Sequence, residues 1–526
     1  FGRFDGFGIP PQKSGDYAFL LHILKSLKST GTGAVILPHG VLFRGNAEGE
    51  IRKNIIERGY IKGIIGLPAN LFYGTGIPAC IIVLDKAGAS DRKGIFMIDA
   101  SKGFVKDGNK NRLREQDNRK VIDTWSGKLE IPKYSRFVGN DEIKKNEYNL
   151  NLPRYIDTQE AEDIQDIEAH LKGGIPDADI TALSAYWDIC STLKHSLFKA
   201  NGRKGYSEVM IAHDEIKKTI LTHPEFGVFR KQVLATFGKW QDTSATFLKA
   251  LGNANHPKAI IQKISDDLLS VCANLHLVDK YDIYQHLMNY WDEVMQDDAH
   301  IITVDGWKSG NEIIRLQKEN KGKKKDVEGL VGLEGKLIPI SLAIKTYFAK
   351  EQTALDGLNA TLEQIDVDMD SLKDEHGGED GLLYEVIDND KISKASVQKR
   401  IKEIKISKDD ADELVVLEKY LALFDKETDT KKAIKDAEKD LEKKVLAKYP
   451  TFTLDEIKTL VVDRKWMDEL SARALGEVDR LSHTLAGRVK ELAERYAEPM
   501  SDVTKEVETL TAKVEGHLSK MGFDLK

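Results

Sequence analysis

The sequence predicts an α/β region followed by a long, essentially all-α region. Apolar strand-like runs alternate with helical segments between Gly15 and Ile98, and this alternation is typical of a sheet covered on both faces by helices. From about Asn140 onward strand signals nearly vanish and helical periodicity dominates. At 526 residues, the chain is long enough for about three or four domains with a buried core.

Two helix-to-strand steps open the α/β region, and Pro38 and Pro68 end their strands. A sheet that opens with a helix and has only about four strands leaves an edge and a face unburied. We therefore expect the amino-terminal half of this domain to precede Phe1. In chain order, the predicted elements are helix 16–27, strand 34–37, helix 48–58, strand 61–67, strand 79–84 and strand 94–98.

In the all-α region, apolar residues recur at steps of three and four in residues 355–369 and again in residues 414–424. This spacing is typical of an antiparallel or coiled-coil pair of helices. A third long helix is predicted over 465–496, and a further one over 503–521. We divide the chain into an α/β domain, a helical domain, coiled-coil-like helices and carboxy-terminal docking helices, with the respective bounds 1–157, 158–335, 336–450 and 451–526.

Composition and charge narrow the function classes. The net charge of −7 means that any contact with nucleic acid must come from local basic patches. The run Lys321–Lys325 is a dense basic cluster that we expect to be an exposed loop, with phosphate contact as the alternative. Three widely spaced cysteines support neither a disulfide framework nor a zinc site and favour a cytoplasmic protein. We predict no membrane span and no metal site, because long apolar runs and paired-histidine spacings are lacking.

Three segments at predicted strand or helix ends could carry chemistry, because open α/β sheets bind ligands at strand ends. His39 follows a strand and could face a cleft or be an ordinary surface histidine. Phe72 and Tyr73 lie in the segment 66–78 and could stack on a planar base or plug the core beneath their loop. Asp16 stands at a helix start, where capping the helix is the favoured interpretation from the residues alone.

Taken together, these segments resemble the modification subunit of type I restriction-modification systems, an N6-adenine DNA methyltransferase. Several motif blocks occur in the family's order, and no single block would suffice for the resemblance. The blocks in the α/β region are Gly8–Pro11, Gly15–His22, Val35–Arg44, Gly66–Pro78 and Tyr148–Tyr155. The resemblance extends into the helical part through Tyr281–Met288, Asp479–Ser482 and Leu485–Arg488.

The resemblance implies a Rossmann-like methyltransferase sheet and a role for individual residues. Asp16 and Phe19 match a motif that helps to line the S-adenosylmethionine pocket, and Pro38 ends the next strand of that pocket. Phe72 and Tyr73 fall at the loop that contacts the extruded adenine. Methyl transfer to the adenine N6 amine needs the base out of the stack and held between planar surfaces.

The resemblance also implies partners, which are a specificity subunit that reads the DNA, a restriction subunit, a second modification subunit and double-stranded DNA. The carboxy-terminal helices are expected to dock on the specificity subunit. The stripes at 355–369 and 414–424 could take part in such docking or could pair only with each other, and for those two segments we favour pairing with each other.

The sequence departs from the family at the catalytic motif. No glycine-rich cofactor motif and no Asn-Pro-Pro-Phe tetrapeptide occurs in the chain, so we assign no catalytic residue and expect this chain alone to be inactive. The main hypothesis is a modification subunit that methylates adenine, and the alternative is a non-catalytic helical assembly module. An amino-methyltransferase acting on RNA or protein is a weaker third hypothesis, because such enzymes need no long helical extension.

Overall fold

The computed structural model describes residues 2–158, 165–320, 323–388, 391–407 and 410–523. They divide into two compact units. The first consists of Phe1–Gly238, Ser265–Tyr290 and Arg473–Lys526, and the second of Lys239–Ile264 and Trp291–Ala472. Both units combine segments that are far apart in the chain, whereas the four regions predicted from the sequence follow chain order. The four-region division stays a prediction.

A mixed five-stranded sheet forms the α/β part of the first unit, with strand order β1-β3-β2-β4-β7. Every helix and strand predicted in this part is present, with bounds that differ by a few residues at most. Its elements are α1 (Asp16–Ser26), β1 (Thr32–Pro38), α2 (Asn46–Glu57), β2 (Ile61–Gly66), β3 (Ala79–Asp85), β4 (Gly94–Asp99), β5 (Val105–Asp107), β6 (Lys110–Arg112), α3 (Glu115–Gly127), β7 (Ser135–Gly139) and α4 (Asn140–Lys145).

Strand β3 runs antiparallel to both of its neighbours, β1 and β2. Strand β2 is in turn parallel to β4, so β1, β2 and β4 all point the same way. Alternate residues of β3 face opposite sides, with Ile82 in the core beneath α1 and α2 and Ile81 against the core beneath α3. Helices therefore cover both faces at the central strands, as expected. The outer face of edge strand β1 is less well covered than the faces of the central strands, because Ile36 is 53% exposed there.

The rest of the first unit is helical apart from one small three-stranded sheet, β8-β10-β9. Its elements, given in chain order, are α5 (Ile167–Lys172), β8 (Ile175–Pro176), α6 (Asp177–Thr181), α7 (Ser184–Trp187), α8 (Ser191–Leu197), β9 (Phe198–Ala200), β10 (Tyr206–Val209), α9 (Glu215–Leu221), α10 (Pro224–Lys249), α11 (Pro257–Val271) and α12 (Lys280–Tyr290), with α10 and α11 continuing into the second unit. These strands are only two to four residues long, too short to give an alternating sequence pattern.

The second unit contains long helices and short strands, none of them longer than four residues among the described residues. A π-helical segment (Trp291–Met295) follows α12, and a second one (Thr459–Met467) precedes α19. The other elements are α13 (Gln296–Val304), β11 (Ile313–Arg315), β12 (Gln317–Asn320), β13 (Lys323–Asp326), β14 (Leu333–Gly335), α14 (Ile340–Tyr347), α15 (Ala349–His376), β15 (Ile387–Asp388), β16 (Lys391–Ile392), α16 (Lys394–Ser407), α17 (Ala411–Lys448) and α18 (Leu454–Lys458).

Helices α15 and α17 pack against each other in antiparallel fashion. Lys444 Nζ on α17 lies 3.2 Å from Glu351 Oε1 on α15, and further along Ile365 and Leu423 share one buried apolar cluster. Helix α16 contributes Ile401 to the same cluster. The stripes predicted at 355–369 and 414–424 are thus paired with each other, which is the alternative that the sequence favoured.

The basic run Lys321–Lys325 is only partly described. Residues 321 and 322 lie outside the described residues, and Lys324 and Lys325 are exposed on β13. Strand β13 pairs with β12, placing Lys325 opposite Lys318. The expected exposure is therefore confirmed for Lys324 and Lys325, whereas the expected loop is wrong for them, because both belong to a hairpin strand.

The carboxy-terminal helices α19 (Asp468–Arg495) and α20 (Met500–Lys520) differ sharply in burial. The apolar stripe of α19 is buried within the chain, and Tyr496 just beyond its end donates its hydroxyl to Asp179 Oδ2 at 3.4 Å. Glu477 on α19 is 5% exposed and accepts hydrogen bonds from Arg480 Nε. No residue of α20 is buried. No helix among the described residues is long and apolar enough to cross a membrane.

Strand β2 meets α3 at Gly63, where a Cβ would overlap the indole ring of Trp125. We predict that Gly63→Ala lowers the free energy of unfolding by about 1–3 kcal/mol, because overpacking forces the ring or the strand to move. Urea denaturation measures the change. Gly487→Ala on the exposed face of α19 is the matched control, since nothing lies within 4 Å of the Cβ that it adds. This substitution should raise the free energy of unfolding by about 1 kcal/mol, because alanine favours the helix more than glycine does. Equal effects of the two substitutions would contradict the packing described.

Glu477 gives a pH-dependent prediction. Burial acts to raise the pKa of Glu477, but hydrogen bonds from His286 and Arg480 outweigh burial and hold the pKa at about 2, below the ordinary 4.5. Because the pKa is lowered by folding, the ionised carboxylate stabilises the protein above pH 4.5, and this contribution is lost as the pH falls towards 2. The difference in unfolding free energy between wild type and Glu477→Gln should therefore shrink over that range. A difference that is independent of pH would contradict this prediction.

Candidate functional site

The candidate site lies at the carboxyl edge of the sheet, where β1, β2 and β4 end. Pro38, the last residue of β1, pairs with Ala79, the first residue of β3. The loop 67–78 joins the end of β2 to the start of β3 at the same edge. Asp16 begins α1 nearby, close enough to Cys80 for its charge to raise the pKa of that buried thiol further, after burial itself. The fold thus gathers the predicted segments at one edge.

The loop 67–78 is closed on itself by two internal hydrogen bonds. The Asn70 N–H donates to Gly76 O at 3.3 Å, and the Ile77 N–H donates to Thr75 Oγ1 at 3.1 Å. Gly74 has a φ of +80°, a conformation that favours glycine. At Gly76, a Cβ would approach Asn70 Oδ1 to 2.9 Å, so a side chain at this position would disturb the closure.

The hairpin of β5 and β6 anchors this loop from outside. Lys110 Nζ donates to two loop carbonyls, Phe72 O at 2.8 Å and Thr75 O at 3.2 Å. Asn111, only 5% exposed, donates its side-chain amide to Ala69 O at 2.7 Å and its backbone N–H to Asn70 O at 2.9 Å. Four hydrogen bonds therefore fix the backbone on both sides of the aromatic pair.

The two aromatic residues of the loop differ in exposure, and Tyr73 projects from the loop rather than filling the core. Leu71 packs against the apolar cluster under α3 that contains Ile65 and Leu67. Phe72 is 36% exposed and Tyr73 is 94% exposed. The core-plug interpretation is wrong for Tyr73, because its neighbour Leu71 fills the core position. A planar group above this edge could contact either ring.

Asp16 does not cap α1. Gly15 occupies the N-cap position without a side-chain hydrogen bond, and Asp16 is the first helical residue. Its carboxylate accepts from Arg44 Nη2 at 2.5 Å. Arg44 also donates to Ser14 Oγ at 3.1 Å and lies 3.0 Å from Glu48 Oε2. The capping interpretation is wrong because Arg44 competes for the carboxylate, and the resulting network ties the start of α1 to α2.

The other two residues predicted for the cofactor pocket are exposed. Phe19 is 70% exposed on the outer side of α1, with its ring lying over Gly15. Tyr17 on the inner side is buried and donates its hydroxyl to Val41 O at 2.7 Å. Burial raises the pKa of Tyr17 to about 12, which keeps the hydroxyl a donor. Pro38 is exposed at the end of β1.

His39 is half-buried at the same edge. Its backbone N–H donates to Pro78 O at 2.9 Å, and its ring lies 6.0 Å from the Phe43 ring in an edge-on arrangement. Burial lowers the pKa of His39, and the negative charge of Asp99 acts in the opposite direction. This histidine is half-buried and packed near Phe43, which differs from the ordinary surface histidine that was one of the two interpretations from the sequence.

Sequence reasoning missed Lys110 and Asn111, which hold the aromatic loop. The turn Asp107-Gly108-Asn109 could have predicted the hairpin, because Asp-Gly and Gly-Asn dipeptides mark tight turns between strands. Its strands carry few apolar residues, so they gave no strand signal. No group of three or more metal-ligating side chains is present in the part of the chain that the structure describes. All three cysteines are buried and free.

Comparison with known proteins identifies the α/β part. Residues 2–164 match the family described as N-6 DNA Methylase. The chain is 33% identical to the type I restriction enzyme MpnII methylase subunit of Mycoplasma pneumoniae over 167 residues, which covers 32% of this chain and 31% of that protein. It is 39% identical to the MjaVII methylase subunit of Methanocaldococcus jannaschii over 163 residues, which covers 30% of this chain and 28% of that protein. The chain thus spans about a third of the length of these relatives.

A solved structure of a type I restriction-modification methyltransferase subunit from Streptococcus thermophilus is 45% identical, with a TM-score of 0.28, and covers 30% of this chain and 33% of that one. The resemblance to type I modification subunits is confirmed by the family match and the sequence relatives, which lie in the α/β part. The motif blocks quoted for the helical part stay a prediction.

Proposed function

We propose that this chain is part of a type I modification subunit that transfers a methyl group from S-adenosylmethionine to the N6 amine of adenine in double-stranded DNA. The observation that carries the proposal is the anchored loop 67–78, which presents Phe72 and Tyr73 at the carboxyl edge of a sheet in the N-6 DNA methylase match. Transfer to N6 requires the adenine outside the helical stack, and exposed aromatic rings are suited to hold an extruded base by stacking.

The residues at the edge fit S-adenosylmethionine by their chemistry. This cofactor combines a sulfonium and an ammonium, both cations, with an adenine ring. The carboxylate of Asp16 is partly accessible, at 25% exposed, and could attract a cation. Phe19 and Pro38 provide exposed apolar surface for a ring. We propose that these three residues line the cofactor pocket; the cofactor supplies the methyl group, and the protein orients it towards the base.

We further propose that β1–β4 are the carboxy-terminal half of a Rossmann-like sheet. Strand β1 has its pairing edge free among the described residues, and on its outer face Ile36 is 53% exposed. Sheet edges of this kind are normally paired or covered. A further strand along β1 would complete the sheet.

The helical region is proposed to assemble the complex. In α20, the residues Val503, Val507, Leu510 and Val514 are 40–56% exposed and follow steps of four, three and four, which is the heptad spacing of a coiled-coil seam. We propose that this stripe docks on the specificity subunit, while α15 and α17 bury their stripes against each other. The restriction subunit and a second modification subunit are proposed as the other partners.

Loss of the Tyr73 ring should weaken capture of the base. In the full-length protein assembled with its specificity subunit, Tyr73→Ala is expected to lower kcat/KM for DNA methylation by about 5- to 150-fold, the equivalent of one stacking contact of about 1–3 kcal/mol. The value of kcat/KM is measured by the transfer of a labelled methyl group to a duplex that carries the recognition sequence. The control is Ile122→Ala on α3, an exposed apolar residue away from this edge. Wild-type kcat/KM in Tyr73→Ala would count against the proposed base contact.

A charge in the α20 stripe should disrupt docking. Leu510→Glu places a carboxylate in the proposed apolar seam and is expected to weaken binding to the specificity subunit by tenfold or more, at a cost of about 1.4 kcal/mol per tenfold. Analytical ultracentrifugation or calorimetry of the two subunits measures the affinity. Ala512→Glu, on the opposite side of the same exposed helix, adds the same charge and should leave binding unchanged. Equal weakening in both variants would place the interface elsewhere.

A further inference from the structure

The hairpin of β5 and β6, taken together with the residues 101–104 that lead into it, is a basic surface in an acidic protein. Residues 101–112 contain Lys102, Lys106, Lys110 and Arg112 against a single acid, Asp107. The whole chain carries a net charge of −7. A local excess of cations on such a chain attracts polyanions to this surface rather than to the molecule in general.

The four cations of the hairpin have different surroundings. Lys110 is occupied by the loop carbonyls Phe72 O and Thr75 O. Arg112 lies 3.5 Å from Asp107, and both side chains are well exposed. Lys102 and Lys106 are exposed, and neither forms an ion pair with any described residue. Two ammonium groups are therefore available for a ligand.

The hairpin cannot move independently of the aromatic loop. Its strand β6 makes all four of the hydrogen bonds that hold residues 69–75, through Lys110 and Asn111. Lys106 on β5 lies directly opposite Asn111 on β6, and Lys102 stands three residues before β5 begins. An anion bound by these two lysines is therefore held on the element that anchors the aromatic loop. A flipped nucleotide keeps its backbone phosphates on either side of the extruded base, so phosphates are expected close to an element that contacts the aromatic loop.

We propose that the β5–β6 hairpin binds the phosphodiester backbone of DNA beside the extruded adenine, with Lys102 and Lys106 as the phosphate contacts. This inference rests on the proposed function and adds a DNA-contacting element to it. The contact is sequence-independent, because ammonium groups on phosphates position a duplex without reading its bases. It supplies a cationic surface that the net charge of the chain does not.

The test is the salt dependence of DNA binding by the full-length protein assembled with its specificity subunit. Fluorescence anisotropy with a duplex carrying the recognition sequence gives the slope of log K against log salt concentration. For K102A/K106A, the slope should fall in magnitude by about 2, one for each phosphate that the variant no longer neutralises.

The matched control is K93A/K128A, which removes the same charge near the opposite, amino-terminal end of β4. Its slope should equal that of the wild type. An unchanged slope in K102A/K106A, or an equal drop in both double variants, would overturn the inference. A wild-type complex that binds the duplex but transfers no methyl group counts against the proposed function instead, and the slope comparison still decides whether the hairpin contacts DNA.

Discussion

The position of β3 in the sheet is the constraint on which the candidate site depends. An antiparallel strand between β1 and β2 forces the chain to reverse at the carboxyl edge, so the connection from β2 to β3 must lie beside the end of β1. The parallel pairing of β2 with β4 brings the segment after β4 to the same edge. The strand order and the connection from α1 to β1 together gather the start of α1, the aromatic loop and the basic hairpin, which are separated in the chain by up to about a hundred residues.

Within this frame, polar contacts rather than apolar packing fix the loop. Leu67 and Leu71 anchor it to the core, and the conformation of residues 69–75 depends on hydrogen bonds from Lys110 and Asn111 to backbone carbonyls. Such bonds leave the ring of Tyr73 almost fully exposed and that of Phe72 partly exposed. An aromatic side chain held at its backbone but exposed at its ring is what capture of a planar base requires.

The strands of the α/β part could be predicted because their apolar runs are nearly continuous, as burial on both faces demands. The hairpin of β5 and β6 could not be read in the same way, because polar and charged residues on a surface hairpin give no periodic signal. The ion pair of Asp16 with Arg44 was also beyond the sequence, since it depends on how α1 and α2 pack. Helices α19 and α20 show the limit most clearly: both carry apolar stripes, yet the stripe of α19 is buried and that of α20 is exposed. Periodicity gives the stripe, but tertiary packing decides what covers it.

The central claim, that the loop 67–78 receives the target base, can be tested by photocrosslinking. A duplex in which 5-iodouracil replaces the target adenine would be irradiated in the assembled complex, and the crosslinked peptide identified by mass spectrometry. The account predicts an adduct on Phe72 or Tyr73, because an extruded base stacks on an exposed ring. An adduct confined to another segment of this chain, or to the specificity subunit alone, would contradict it.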